Sequence, residues 1–331
     1  MSELTFVDVC SGAGGLALGL EQAGFVPRLL LDEDKDACAT LRANRPRWEV
    51  IQDDLLDFDP SEHPVSHDVD LLSAGLPRVK SNATIGRTET GLEERLLKAA
   101  IYLVHAIRPR AVLLENVPGL VGSAAFQEFR EFARAELEHL GYDFTWFVMD
   151  AVDFGVPQNR KQGILVAVDR QLTRAFEPPS PTAQAPMTVG EALGRSMASR
   201  GWKESVRWAA QADRPAPTVV GGSKNRGGAD LGPTGAKRKW ATMGVNGHTV
   251  GDKVPGPDFV WDPELGRDGL VKITVEQAAL LQGFPETWEI SGRKTARYRQ
   301  VGHATPPPVG AALGRAVAEA LDPDPVIFAA G

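Results

Sequence analysis

A glycine-rich turn and two carboxylates have the types and spacing to bind a nucleoside. The stretch DVCSGAGG, residues 8–15, lies between a predicted strand and a predicted helix, where backbone can approach a ligand and helix amides point at it. Asp32 stands twenty residues after Gly12, at the end of the next apolar run. There it could accept hydrogen bonds from ribose hydroxyls, and Asp54 could accept one from an adenine amino group. The spacing is not the phosphate-binding GxGxxG, which argues against a dinucleotide. A structural turn and solvated loop acids are the simpler alternatives.

Two other polar groups border apolar runs. Glu115 and Asn116 end AVLLENV, at the edge of an open α/β sheet where ligands bind. An acid that emerges from a buried strand is a functional group or a helix-cap acceptor, and its position favours function. Gln158, Arg160 and Lys161 precede the run QGILVAV. They form either a polar hairpin turn or a set of phosphate and base contacts.

The elements that must position these residues alternate along the first half of the chain. Short apolar runs are separated by helical patterns; the runs are LTFVDV, RLLL, DVDLLSAG, AVLLENV, FTWFVMDA and QGILVAV. This alternation predicts an α/β fold with a mostly parallel, doubly wound sheet that helices cover on both faces.

The composition and the periodicity of the sequence change from about Glu177. The Pro-rich EPPSPTAQAP is followed by many glycines and few periodic segments, until ITVEQAALLQGFP and PPPVGAALGRAVAEAL predict two helices. We therefore expect a sheet domain formed by residues 1–176 and 300–331, and an irregular lobe at 177–299. The last helix has no sheet partner of its own and should return to the first domain.

The composition is that of a globular protein, with 331 residues, 43% hydrophobic residues and a net charge of -7. Residues 178–300 nevertheless carry 17 Lys and Arg against 12 Asp and Glu, a local excess that would suit a polyanion or a solvated surface. With two cysteines, Cys10 and Cys38, the chain cannot form a four-cysteine zinc site, and a disulfide framework is not expected. The N-terminus shows no secretory signal and no apolar run could span a bilayer, so a cytoplasmic location is expected.

Several motifs occur in one order along nearly the whole chain, outside about 178–265. They are FVDVCSGAGGLALGLEQAGF, LLLDEDKDACATLRANRP, LLENVPGL, FGVPQNRKQ and EQAALLQGFPETWEISGRKTARYRQVGHATPPPVGAALGRAV. In these motifs the chain resembles the DNA cytosine-5 methyltransferases. The gap falls where that family has its variable target-recognition region.

The resemblance implies a Rossmann-like methyltransferase sheet that binds S-adenosylmethionine, with double-stranded DNA in a cleft beside a smaller recognition lobe. The target cytosine would be flipped out of the duplex, because its reacting atom cannot be reached inside the stack. Glu115 would bind the ring nitrogen and amino edge of the cytosine, with Arg160 nearby. The implied cofactor contacts are Cys10, Gly12, Ala13, Gly14, Gly15, Asp32, Glu33, Asp54, Leu76 and Thr305.

The basic residues of the recognition lobe are expected to contact phosphates and base edges. Together with residues near the catalytic loop, the predicted DNA contacts are Lys80, Ser81, Gln158, Lys224, Arg226, Lys237, Arg238 and Lys239. A restriction endonuclease or another defence protein is a candidate partner, and the oligomeric state stays open.

The pattern breaks at one loop. The family places its nucleophilic cysteine after Gly-x-Pro, and this chain has Gly75-Leu76-Pro77-Arg78. A thiolate adds to C6 of cytosine and activates C5, whereas an arginine stays protonated and has no usable lone pair. Cys38 is predicted to be a buried helix residue, which leaves Cys10 as the one thiol worth testing. Gln162, His303 and Thr305 also depart from the family pattern.

Three hypotheses remain. The first is methylation of the exocyclic N4, which needs no covalent adduct: a carbonyl of Gly75-Leu76-Pro77 would aim the amino group and Arg78 would stack on the base. The second is C5 methylation, by a rescuing thiol or in an unmutated parent protein. The third is a catalytically silent DNA-binding protein. The residues predicted to carry the chemistry are Pro77, Arg78, Glu115 and Arg160.

Overall fold

The computed structural model describes residues 3–79, 91–172, 174–222 and 228–321. Two compact units divide the chain. The first contains residues 1–149, 161–180 and 309–331, and the second contains residues 150–160 and 181–308. The domain boundaries expected from the sequence were at 176/177 and 299/300. The catalytic role of one part and the recognition role of the other stay predictions. None of the helices in the described residues is long and apolar enough to cross a membrane.

Within the described residues the first unit is built on a seven-stranded sheet in the order β3-β2-β1-β4-β5-β8-β6. The strands in the described ranges are β1 Thr5–Val9, β2 Val26–Asp32, β3 Val50–Gln52, β4 Leu71–Gly75, β5 Ala111–Asn116, β6 Tyr142–Asp150, β7 Gln158–Asn159, β8 Lys161–Asp169 and β9 Ala216–Pro217. The strands from β3 to β5 pair in parallel, and β8 is antiparallel to β5. The predicted α/β class with a mostly parallel sheet is confirmed.

Helices connect the strands of the sheet and also occur in the second unit. They are α1 Gly15–Gln22, α2 Lys35–Asn44, α3 Leu92–Ile107, α4 Gly119–Gly122, α5 Gln127–Leu140, α6 Val189–Ala198, α7 Ser205–Gln211, α8 Thr234–Thr242, α9 Val275–Leu281, α10 Lys294–His303 and α11 Pro307–Leu321.

The order of the central strands determines where a ligand can bind. Every residue of β1 and of β5 is buried, as expected for parallel strands covered on both faces. The chain runs outwards from β1 to β2 and β3 on one side, and from β4 to β5 on the other. The crevice at the carboxyl ends of β1 and β4 is therefore the topological switch point, where open α/β sheets bind their ligands.

The last helix belongs to the first unit, as the sequence predicted. At Gly310 an added Cβ would lie 3.1 Å from the carbonyl oxygen of Leu16, and at Gly314 it would lie 2.6 Å from the Cβ of Ala23. Because these glycines have no side chain, α11 packs closely against α1, the helix that follows the glycine turn.

The second unit is more regular than expected. Thr188 and Glu191 form a capping box at the start of α6, with the Thr188 hydroxyl accepting a hydrogen bond from the Glu191 amide. In its core the aromatic ring of Trp202 packs against the rings of Trp208 and Trp261. The unit thus has its own hydrophobic core. The many glycines in this part of the sequence led to the expectation of an irregular lobe.

Candidate functional site

The glycine turn after β1 is held by a carboxylate from β2. Gly12 and Gly14 both have positive φ, at 55° and 80°, and Gly14 is the N-cap of α1. The Asp32 carboxylate accepts hydrogen bonds from the Gly12 amide at 2.7 Å and from the Asp34 amide at 2.8 Å. A Cβ added at Gly12 would have no atom within 4 Å, so open space lies beside the turn. Asp32 therefore shapes the turn, and its predicted bond to a ribose would use remaining lone pairs.

The other two acids predicted to bind the cofactor lie on the same edge of the sheet. Glu33 follows β2 and is exposed, and Asp54 follows β3 and is half-buried. The Asp54 carboxylate accepts a hydrogen bond from the Leu56 amide at 2.9 Å, which fixes its orientation. Their contacts with adenosine stay predictions.

Asp8 is a buried acid that the sequence reasoning missed. Its side chain has no exposed surface, and its Oδ1 lies 2.6 Å from the Ser73 hydroxyl on β4. Oδ2 has no hydrogen-bond partner among the described residues. Burial raises the pKa of Asp8 from 3.8 to about 7. An acid inside the otherwise apolar run TFVDV was the signal available in the sequence.

The loop after β4 is fastened by the side chain of Asn116, at the end of β5. The Asn116 Nδ2 donates to the carbonyl oxygens of Leu76 at 3.3 Å and Pro77 at 3.1 Å. Its Oδ1 accepts from the amides of Val79 at 3.1 Å and Val117 at 2.9 Å. The Leu76 and Pro77 carbonyls, which are candidate acceptors for a cytosine amino group, thus each already accept one hydrogen bond from Asn116. The ENV motif indicated Asn116 only as a neighbour of Glu115.

The same loop brings Arg78 to Glu115. The Arg78 Nη2 lies 3.7 Å from the Glu115 Oε1, and the side chains are 32% and 3% exposed. A buried carboxylate needs a cation or several donors to offset its lost hydration, and Arg78 supplies the cation. Two of the residues predicted to carry the chemistry are therefore together at the carboxyl edge of the sheet.

Neither thiol of the chain is a ready nucleophile. Burial raises the pKa of Cys10 well above its usual range, and Asp32 raises it further. Burial also raises the pKa of Cys38 to about 11, and its thiol donates a hydrogen bond to the Asp32 carbonyl. The thiolate is the reactive form, so these environments suppress reactivity. The prediction that Cys38 is a buried helix residue is confirmed.

Gln158 does not have the exposure expected of a DNA contact. The side chain is fully buried in the second unit. Its amide nitrogen donates to the Leu281 carbonyl and the Gln282 Oε1, and its oxygen accepts from the Val219 amide. These bonds hold the segment that leads to the glycine-rich 221–222 turn. Of the polar residues predicted here, Lys161 is exposed, whereas Gln158 is buried.

Arg160 is also fully buried in the second unit. Its Nη1 donates to the carbonyl oxygens of Val219 and Gly302, each at 3.0 Å. The guanidinium thus joins the same segment to α10. A role beside Glu115 stays a prediction, as does the cofactor contact of Thr305, which is buried in the second unit.

The predicted basic DNA contacts fall into two groups. Arg238 and Lys239 are exposed on α8, whereas the Lys237 Nζ lies 2.9 Å from the Asp230 carboxylate and is partly neutralised. The other predicted contacts, Lys80, Ser81, Lys224 and Arg226, lie outside the described residues.

Known proteins are similar to this chain in sequence. The family described as C-5 cytosine-specific DNA methylase matches residues 4–319. Type II methyltransferase M.NaeI of Lentzea aerocolonigenes is 43% identical over 328 residues, 97% of this chain and 76% of that protein. Type II methyltransferase M.NgoMIV of Neisseria gonorrhoeae is 35% identical over 330 residues, 96% of this chain and 98% of that protein.

The fold has solved relatives at lower identity. The structure of the S. pombe Dnmt2 methyltransferase aligns with a TM-score of 0.64 at 16% identity, covering 96% of this chain and 99% of that one. At this identity the likeness supports the fold alone.

Proposed function

This chain belongs to the C-5 cytosine-specific DNA methylase family, and we propose that it is an S-adenosylmethionine-dependent methyltransferase acting on a cytosine flipped out of duplex DNA. The observation that carries the proposal is the pairing of Glu115 with Arg78 at the carboxyl edge of the sheet. This edge also holds the glycine turn that would bind the cofactor. A base and a methyl donor can therefore meet at one switch point.

The residues present fit the cofactor. Open space lies beside Gly12, and the buried Asp8 carboxyl has an oxygen without a partner among the described residues. Asp32, Glu33 and Asp54 supply carboxylates for ribose hydroxyls and an adenine amino group. S-adenosylmethionine, when bound, supplies an electrophilic methyl group on a cationic sulfur. An acidic edge is suited to such a ligand.

We further propose that Arg78 occupies the position of the family's nucleophilic cysteine, so that the catalytic loop is altered. The collinear motifs and the Gly75-Leu76-Pro77 sequence support this assignment. Arg78 cannot add to C6, since a guanidinium offers no lone pair at working pH. Its contribution is electrostatic: it neutralises Glu115 and presents a planar cation that can stack on a base.

The protonated state of the thiols favours methylation at N4 as a second candidate reaction. Attack by the exocyclic amine needs no adduct at C6, so it does not require Cys10 or Cys38. Glu115 would accept a hydrogen bond from the amino group and take its proton on a carboxylate oxygen, as the bond from N4 to the methyl group forms and the bond from that methyl group to sulfur breaks. The engaged carbonyls of Leu76 and Pro77 each keep a lone pair for the same group.

Nucleoside analysis separates the possibilities. The protein is incubated with labelled S-adenosylmethionine and mixed-sequence duplex DNA, and the digested nucleosides are separated. Label in 4-methylcytosine supports the N4 route, and label in 5-methylcytosine supports C5 chemistry. DNA that binds without acquiring label would mean a silent DNA-binding homologue and would refute the proposed activity.

The relatives named type II methyltransferases suggest a biological setting. We propose that this chain protects a short DNA sequence from a restriction endonuclease. Expression of the protein in a host should make the host DNA resistant to a nuclease that cuts the methylated sequence. Unchanged cleavage of a site that carries the label would contradict this role.

A further inference from the structure

The three most exposed large apolar side chains of the described residues all lie in the second unit. Val206 is 79% exposed, Val260 is 73% exposed and Leu265 is 65% exposed. A single exposed apolar side chain is ordinary on a protein surface, whereas adjoining ones mark an interaction site. Because covering such side chains removes apolar surface from water, a partner that binds all three gains a driving force for association.

Two segments that pack against each other carry these side chains, residues 200–207 and 257–268. The ring of Trp202 lies edge-on to the ring of Trp261, with 6.4 Å between the ring centres. The Arg207 guanidinium lies over the same Trp261 ring, 5.2 Å from its centre. The two exposed valines are the residues immediately before Arg207 and Trp261. The segments therefore form one continuous surface of the second unit.

The two segments carry opposite charge. Residues 200–207 contain three Lys and Arg and one Glu, and we call them the basic segment. Residues 257–268 contain four Asp and Glu and one Arg, and we call them the acidic segment. Phosphates repel an acidic surface, so binding to DNA does not account for the exposed apolar side chains of the acidic segment.

A surface with one basic half and one acidic half is complementary to a second copy of itself. In a twofold arrangement both copies present the same surface, so the basic segment of one copy lies against the acidic segment of the other. The apolar side chains fit this arrangement, since Val206 is in the basic segment and Val260 and Leu265 are in the acidic segment. A partner of uniform charge would match only one half.

We propose that this surface joins two copies of the chain in a twofold symmetric dimer. Val206 of each copy packs against Val260 and Leu265 of the other copy, and the charged segments fix the orientation. The proposal does not depend on methyl transfer, because the surface lies within the second unit and uses none of the residues assigned to the chemistry. The apolar patch is small, so the dimer is reversible and its population rises with protein concentration.

Sedimentation equilibrium of the full chain measures the association. The average mass should rise from 35.6 kDa towards twice that value as the protein concentration increases. Val206→Glu should weaken the association about tenfold or more, because it places two charges in the apolar contact. Val65→Glu, at an exposed valine of the first unit, is the matched control and should associate like the wild type.

Two outcomes of this experiment would overturn the proposal. One is a mass that stays at 35.6 kDa at every concentration, which would leave the surface to a different partner or to none. The other is equal association of Val206→Glu and the wild type, which would place the contact on another surface. Both valines are exposed, so the melting temperatures of the two variants should match that of the wild type and exclude unfolding as a cause.

Charge reversal tests the twofold arrangement separately. Lys203→Glu changes an exposed residue of the basic segment, and Glu264→Lys changes an exposed residue of the acidic segment. Each variant alone should associate more weakly than the wild type, because its dimer contains the altered contact twice. An equimolar mixture should associate more tightly than either variant alone, since the mixed dimer has one unaltered contact and one in which both charges are reversed. A mixture that associates no more tightly than the separate variants would overturn the twofold arrangement.

Discussion

Asp8 gives the first unit a stability that depends on pH in an unusual direction. The acid is fully buried in β1, its Oδ1 is bonded to Ser73, and Asp32 lies near enough to disfavour a second negative charge. Burial raises the pKa of Asp8 from 3.8 to about 7. In the folded protein the group stays protonated at a pH where the unfolded chain has already ionised.

The sign and size of the effect follow from proton linkage. The folded state holds the proton more tightly, so the contribution of Asp8 to stability is fully present below pH 3.8 and is lost as pH rises to about 7. Each pH unit in this window costs about 1.4 kcal/mol. Integrated between pH 5 and pH 7, and allowing for the levelling near the upper pKa, the loss is about 2 kcal/mol.

Asp8→Asn removes the titration while it keeps the shape of the side chain. The free energy of unfolding of the variant, relative to wild type, should therefore rise by about 2 kcal/mol between pH 5 and pH 7, and it should change little above pH 8. Denaturant unfolding in a series of buffers at constant ionic strength measures the difference. Asp57→Asn, at an exposed acid, is the control and should show no such trend. A wild-type-to-variant difference that is constant with pH would refute the reasoning.

Three other substitutions test the site and its support. Asn116→Asp removes the amide that donates to two loop carbonyls, and it should lower kcat about 10- to 100-fold while cofactor affinity stays unchanged. Label transfer measures kcat, and calorimetry measures cofactor affinity. A kcat equal to that of the wild type would mean that the loop does not need this side chain. Cys10→Ser should keep turnover within about twofold of wild type under the N4 route, since no thiolate takes part; lost turnover with intact cofactor binding would point to a rescuing thiol. Gly314→Val should destabilise the protein by about 1–3 kcal/mol, because its Cβ would lie 2.6 Å from that of Ala23; an unchanged unfolding midpoint would show that α11 can shift without cost.

The sheet could be predicted because its signals are local. β1 and β5 are short runs that are apolar apart from Thr5, Asp8 and the terminal Glu115 and Asn116, and such runs bounded by turns indicate buried parallel strands. The return of α11 to the first unit followed from its missing sheet partner. The close packing of α11 depends on Gly310 and Gly314, where an added Cβ would meet α1 and Ala23. The sequence alone does not indicate that α1 is the neighbouring helix.

The second unit and the bonding of the site were harder to predict. Helices α6, α7 and α8 are short, and glycines surround them, so the periodic signal is weak, although Thr188 and Glu191 have the spacing of a capping box. Gln158 and Arg160 looked like surface residues because polar residues usually are. Their partners lie 59 or more residues away along the chain, and no local pattern predicts such bonds.

Arg78 changes what Glu115 can do, and this bears on the atom that is methylated. An ion pair with a guanidinium requires the ionised carboxylate, which accepts hydrogen bonds and donates none. The amino group of cytosine is a donor, whereas its ring nitrogen is an acceptor, so the ionised acid suits the amino group better. Activation of C5 calls for a thiolate, and burial raises the pKa of both Cys10 and Cys38. The proposed place of Arg78 at the family's cysteine position and the raised pKa of both thiols are the two arguments for the proposed reaction at the exocyclic amine.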